Sequence, residues 1–235
     1  MASAPERLRT RTDLHRVAEH VLAAARYAAD GRIGLLPADR GLRTPPYGSN
    51  GRVLEVDGGD LLVHDGDGTQ RHRLTTLRAA GVAAGVEPGA PAAVYTPVTS
   101  LDLDASLQLD PESVLGLARW WLLGEAALAR FTLAAADDRP GDAQLWPEHL
   151  DLALTSAAVN YGVSAGDDLY PEPYLYVGPH TPPAAAGETP DDPFWDAPFG
   201  AVRLASAIGS VEEALAFFLT GREAVRSAAA RNEKP

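Results

Sequence analysis

The sequence predicts an α+β fold built on antiparallel sheet. Three helical stretches stand out at 12–29, 111–135 and 211–226. Between them lie short alternating runs joined by turn signals, as in RVLEVDGGDLLVHDGDG, where Gly58-Gly59 separates two apolar runs. The strands follow one another over short spacers. A parallel sheet would need a helix between successive strands. With 235 residues and 46% hydrophobic content the chain can bury a real core, and one α+β domain is expected over 12–228. Residues 1–11 read as a charged, mobile leader and 229–235 as a fraying tail.

Thr12 or Asp13 caps the first helix, which reaches about Ala29 and ends at Gly31. Leu14, Val17, Val21, Leu22, Ala25 and Ala28 share one stripe. His15 and His20 are five apart, whereas helical metal pairs favour i,i+4, so both read as surface or hydrogen-bonded histidines. GRIGLL (31–36) is a short strand, and residues 37–51 a turn-rich connection. The hairpin at Gly58-Gly59 follows. Asp65-Gly-Asp67-Gly-Thr69 has a faint calcium-loop pattern but lacks the acid an EF-hand needs at its last position, where Thr76 stands, so it reads as a turn. RHRL (71–74) opens another strand, and Thr75 or Thr76 precedes a helix to about Val82. PAAVYTPV (91–98) reads as an edge strand because of its prolines. Asp110-Pro111-Glu112 is a strong helix start. The helix to about Ala135 is so apolar that it reads as the central buried one, with Trp120 and Trp121 in the core or an interface. His180–Pro193 is a Pro/Ala/Gly-rich loop. FWDAPFGAVRL (194–204) is a strand or irregular lid with Phe194 and Trp195 at its mouth. Ser210 and Glu213 form a capping box for the last helix.

The chain is organised around Gln144–Val177. In one run Leu150, Leu152 and Leu154 alternate with His149 and Asp151, which period two sends to the opposite face. In YLYV, Leu175 and Val177 alternate with Tyr174 and Tyr176, with Glu172 in phase with the tyrosines. NYGVSAG (160–166) between them reads as a Gly-rich turn. If the aliphatic faces pair, the second face carries His149, Asp151, Glu172, Tyr174 and Tyr176, with Trp146 beside them and Tyr161 and Ser164 at the rim. That face is either the solvated side of a half-buried sheet or a pocket. His149, Asp151 and Glu172 could hold a divalent metal or act as base, orienter and acid. Gly162-Val-Ser164-Ala-Gly166 matches a nucleophile elbow in letters only, because no helix follows it. No catalytic residue is assigned.

Net charge −12 argues against nucleic acid and anionic membrane as partners. The absence of cysteine excludes disulfides, thiolate metal sites and a Cys nucleophile. The N-terminus lacks an apolar signal core and no run is long enough to span a bilayer, so a cytoplasmic location is expected. One Lys, nineteen Arg and two Ile give the composition of a GC-rich bacterial genome.

The two halves, 12–84 and 111–226, share an order: long helix, strand, a turn with Tyr-Gly and Ser (PPYGSNG and NYGVSAG), hairpin strands, helix. An internal duplication would set Tyr47 and Ser49 opposite Tyr161 and Ser164. In RGLRTPPYG, RVLEVDGGDLLVHDGDG, RHRLTTL, LWPEHLDLAL, YPEPYLYV, FGAVRL and ALAFFLTGREAV, the chain resembles the bacterial domain-of-unknown-function 5996 family over residues 12–226. Trp146, Asp151-Leu152-Ala153 and the Pro-Glu-Pro beside an aromatic strand carry the resemblance. It implies the architecture and no activity. Two functions are therefore expected as alternatives. One is a small-molecule or metal-binding pocket on the His149/Asp151 face. The other is a non-enzymatic, homo-oligomeric interaction protein using helix 111–135 and Phe194-Trp195 as its interface.

Overall fold

The computed structural model describes residues 3–66, 68–181 and 193–232. It has two five-stranded antiparallel sheets and four main helices. The first helix is α1 (Ala4–Val17), a π-helical segment (Ala18–Ala23) and α2 (Ala24–Asp30) in continuity. It starts eight residues before the expected Thr12, because Ser3 and Glu6 form a capping box with Pro in the first turn. The leader from Ala4 to Arg11 is therefore helix. The helix ends at Gly31 in the left-handed conformation, φ 67°.

The first sheet is a meander, β1 (Leu36–Ala38), β2 (Gly41–Arg43), β3 (Val53–Asp57), β4 (Asp60–Asp65) and β5 (Gly68–Arg73), in that order. β3 buries Leu54 and Val56 and leaves its alternate residues half-exposed, as period two requires. The edge strand β5 is polar, and Arg71 and Arg73 pair across the sheet with Asp57 and Asp60, a charged edge that discourages further strand pairing. Asp65 pairs with Gly68; Asp67, part of the calcium-like run, lies outside the described residues. α3 (Leu77–Ala84), capped by Thr76, packs on the π segment and β4.

Residues 91–98 form no strand. Pro91–Tyr95 is a local turn, and the longer stretch 89–110 runs against the first helix, whose buried polar side chains take several of its backbone hydrogens. Glu19 accepts from Val98 and Thr99, His20 from Ala90, Asp13 from Gln108, and Thr10 from Asp110, while Arg16 donates to the Asp102 carbonyl. Buried backbone N–H groups must be satisfied, and here a helix face does what a ladder would do. The helix is consequently buried all round from Arg16 to Arg26. The central buried helix is this one. α4 (Pro111–Ala134) is amphipathic, burying Val114, Leu117, Ala118, Trp121, Leu128 and Phe131 and exposing Gly116, Arg119, Ala126, Arg130 and Leu133.

The second sheet is also a meander, with β6 (Gln144–Trp146), β7 (Asp151–Ser156), β8 (Val159–Ser164), β9 (Tyr174–Pro179) and β10 (Ala201–Leu204) in the order β10-β9-β8-β7-β6. The run from Gln144 to Leu154 is thus two strands with a turn between them, and NYGVS, expected as a turn, lies in the strand β8. α5 (Val211–Asn232) closes the chain and extends through residues expected to fray; 233–235 lie outside the described residues, as do 182–192 of the expected loop.

The contacts divide the chain into two compact units: residues up to Leu122 with Gln144–Asp151, and Leu123–Ala143 with residues from Leu152 on. Helix, five-strand meander and helix recur in each half of the sequence. The Tyr-Gly motifs do not correspond, however. Tyr47-Gly48 lies in the turn before β3, bridged to Arg52, whereas Tyr161-Gly162 is inside β8.

In the second unit, Phe131, Tyr161 and Phe218 form the aromatic centre, Phe131 and Tyr161 lying 4.3 Å apart between centroids. Leu152, Leu154, Leu175 and Val177 are at most 2% exposed, as the expected core requires; Leu150, also buried, belongs to the first unit. Arg222 and Arg226 of α5 both pair with Asp138. Phe194 and Trp195 are 8% exposed and stacked edge to face, with Phe194 against Phe217. The pair expected at an interface is therefore core. Among the described residues no helix is long and apolar enough to cross a membrane.

Candidate functional site

The organising segment begins at β6. Leu145 exchanges both backbone hydrogen bonds with Leu35, at 2.7 and 2.9 Å, which fixes Gln144 and Trp146 on the other side of the strand. The chain then turns through Pro147–Leu150, and Leu150 takes a left-handed conformation, φ 51°. A left-handed residue between two extended ones breaks the period-two phase. His149 is accordingly in a turn and exposed, while Asp151 is the first residue of β7 and 5% exposed. They do not share one strand face, contrary to the alternation expected through 149–151.

Trp146, His149 and Asp151 belong to the first unit, and Tyr161, Ser164, Glu172, Tyr174 and Tyr176 to the second. In the second unit Tyr174 and Tyr176 do share a face, but they are packed with Tyr170 and Phe199 in an aromatic cluster. The Tyr174 hydroxyl donates to Asp167 at 2.5 Å. Gly162 faces Tyr176 across the sheet, and a Cβ there would collide with the phenol ring. Ser164 is opposite Tyr174 and accepts from the Gly166 N–H. Tyr161 is not at a rim. It is opposite Val177, on the helix-covered face, and burial pushes its hydroxyl pKa up to about 12. Glu172 accepts from the Ser206 N–H at the start of a short 3-10 turn. Among the described residues no group of three His, Asp or Glu side chains is placed to share a metal ion.

What the first unit gathers around Gln144–His149 is different. On one side lies a cleft of about 360 Å³, lined by Arg26, Arg32, Gly34, Val94, Gln144 and Trp146. Gly34 makes its wall possible, since a Cβ there would overlap the Gln144 side-chain oxygen and press on Arg26. Arg26, 8% exposed, donates to the Gly34 carbonyl, and its buried Nε has no partner. Burial and the Arg32 charge lower its pKa. The Gln144 amide makes no hydrogen bond within the described residues.

A buried polar cluster surrounds the turn as well. Glu19, fully buried, is 3.9 Å from the His15 ring. The His15 ring reaches the Pro147 carbonyl, and burial lowers its pKa against the pull of Glu19. The Tyr95 hydroxyl and one Glu148 carboxylate oxygen are buried without hydrogen-bond partners. Burial, with Glu19 and Glu148 nearby, drives the Tyr95 pKa far above the ordinary phenol range. His20 is neutral by geometry. Its Nδ1 accepts from the Ala90 N–H, so its proton sits on Nε2, directed at the Thr99 carbonyl. His20 is a hydrogen-bonded histidine, as expected, whereas His15 is largely buried with its Nε2 unpartnered.

Of the cleft's lining residues Trp146 was among those expected from the sequence, and Arg26, Arg32, Gly34 and Val94 were not. A signal was present in Gly31-Arg-Ile-Gly34, where a helix-ending glycine is followed three residues later by another. Gly31 is accounted for as the helix C-cap, so Gly34 is the one that marks a close approach of another chain segment. Comparison with protein-family models, curated proteins and solved structures gives no match to this chain.

Proposed function

We propose that this chain is a small-molecule-binding protein and that its ligand occupies the cleft between Arg26 and Trp146. One observation carries the reading: the side chains of Arg26, Arg32 and Gln144 line a cleft of about 360 Å³ beside an indole ring, and neither arginine makes an ion pair among the described residues. Ligand sites are concave, apolar-walled and furnished with a few unspent polar groups. The acidic net charge supports a ligand other than nucleic acid. The resemblance to the 5996 family brings no activity to set against this. The interaction-protein alternative loses one of its two expected anchors, because Phe194 and Trp195 are buried.

The test is a thermal-shift screen of the full chain against a metabolite library and divalent metals. A ligand at a hundredfold its Kd adds about 2.7 kcal/mol, or about 5–11 °C in Tm for a chain of this size. Such a shift, lost in Trp146→Ala, supports the reading. No shift with any compound, or one that Trp146→Ala leaves intact, overturns it.

A further inference from the structure

We infer that the cleft ligand is an anion, a carboxylate or phosphate group carried on a small apolar body; this rests on the cleft being the binding site. The chain has 32 acidic against 20 basic residues, so its arginines have carboxylates in excess to pair with. Several buried or half-buried arginines use them, Arg16 with Asp13, Arg52 with Asp65 and Arg222 with Asp138, although half-buried Arg43 does not. Arg26 and Arg32 do not; neither makes an ion pair among the described residues. Asp30 acts on Arg26 only at longer range, and its carboxylate accepts instead from the Gly48 N–H.

Two like charges lining one cleft, one of them only 8% exposed, with no carboxylate in contact, favour an anion between them. A guanidinium presents five N–H donors in a planar fork. Arg26 spends one Nη1 donor on the Gly34 carbonyl, which fixes its plane, and its terminal Nη donors, not the enclosed Nε, are the ones left for a ligand. A carboxylate or phosphate oxygen pair matches such a fork. Arg32 is exposed and meets the ligand's charge from the solvent side. Trp146 and Val94 supply the wall for an apolar body, and the volume admits roughly one ring with its substituent. The Gln144 amide fixes orientation by either donating or accepting.

The experiment is isothermal titration of the full chain with five probes: benzoate, phenyl phosphate, inorganic phosphate, benzyl alcohol and benzylamine. Benzoate or phenyl phosphate is expected to bind at least about tenfold more tightly than the neutral and cationic rings and than inorganic phosphate. Arg32→Gln, at the surface and outside the core, lowers that affinity about tenfold, and Arg26→Lys, which keeps the charge and loses the fork, lowers it as well. Benzyl alcohol binding as tightly as benzoate, with Arg32→Gln silent, overturns the anion inference while leaving a ligand site. Inorganic phosphate binding as tightly as phenyl phosphate overturns the apolar body. A chain that binds none of these probes but does bind a neutral library compound, lost in Trp146→Ala, refutes the anion alone; one that binds nothing refutes the site.

Discussion

Glu19→Ala is the most informative single change to the scaffold. The Glu19 carboxylate is fully buried and accepts from the Val98 N–H at 3.0 Å, the Thr99 N–H at 2.8 Å and the Thr99 hydroxyl. Alanine strands two backbone donors and one hydroxyl. Each buried donor left unsatisfied costs about 1–3 kcal/mol, and water entering the vacated space recovers part of that. The expected loss is about 3–5 kcal/mol, a large share of a typical domain's stability. Urea unfolding measures it as a fall in midpoint with little change in slope. Hydrogen exchange adds a local reading, since the Val98 and Thr99 amides should lose protection while those of β8 and β9 keep theirs relative to global unfolding. A loss under about 1 kcal/mol, or unchanged protection at Val98 and Thr99, would refute the claim that the helix side chains hold 89–110 in place of strand pairing.

Leu152, 1% exposed, should cost about 2–5 kcal/mol on change to Ala by denaturant unfolding, and a loss below about 1 kcal/mol would contradict its core position. The β7–β8 turn has Ala157 and Ala158 at φ 48° and 60°. Replacing the pair with Asn-Gly should raise stability by about 1 kcal/mol, seen as a higher Tm; no rise would show that the turn is not left-handed in solution. Burial lowers the pKa values of His15 and His20, so the unfolded chain takes up their protons first, near pH 6.5. Stability is fully present above about pH 6.5 and falls as pH drops toward the folded-state pKa values, by at most about 1.4 kcal/mol per pH unit per histidine. Denaturant unfolding between pH 7.5 and 5.5 measures the slope. His20→Gln should flatten it by one histidine's share, and an unchanged slope would count against a neutral His20.

The fold class was legible because strand alternation and turn glycines are local signals. β3, β4 and their Gly58-Gly59 turn follow from them directly. β8 was not legible, because its turn is made by two alanines at positive φ where Gly or Asn would have announced it, and Tyr-Gly looked like a turn itself. The phase of His149 failed for a related reason: nothing in Pro147–Leu150 marks Leu150 as left-handed. The 91–98 segment shows the opposite error. Its β-branched residues and prolines suggest an edge strand, but Pro91–Tyr95 is a local turn and its flanks at Ala90, Val98 and Thr99 are held by His20 and Glu19, which only tertiary packing brings there. Arg26 was hidden because a helix with polar residues all round reads as amphipathic until the surrounding elements bury every side.

The central claim, that the cleft beside Trp146 binds a small ligand, is tested most directly by following that indole. Of the four tryptophans, Trp120, Trp121 and Trp195 are at most 8% exposed, and Trp146 alone lines the cleft. The two-dimensional amide spectrum of the full chain resolves one indole N–H signal per tryptophan, and Trp146→Phe assigns the one that matters. Titration with benzoate is predicted to move the Trp146 signal saturably and leave the other three in place. A Trp146 signal that stays fixed with benzoate and with every library compound that raises the Tm, or shifts of equal size at all four indoles, would contradict the account.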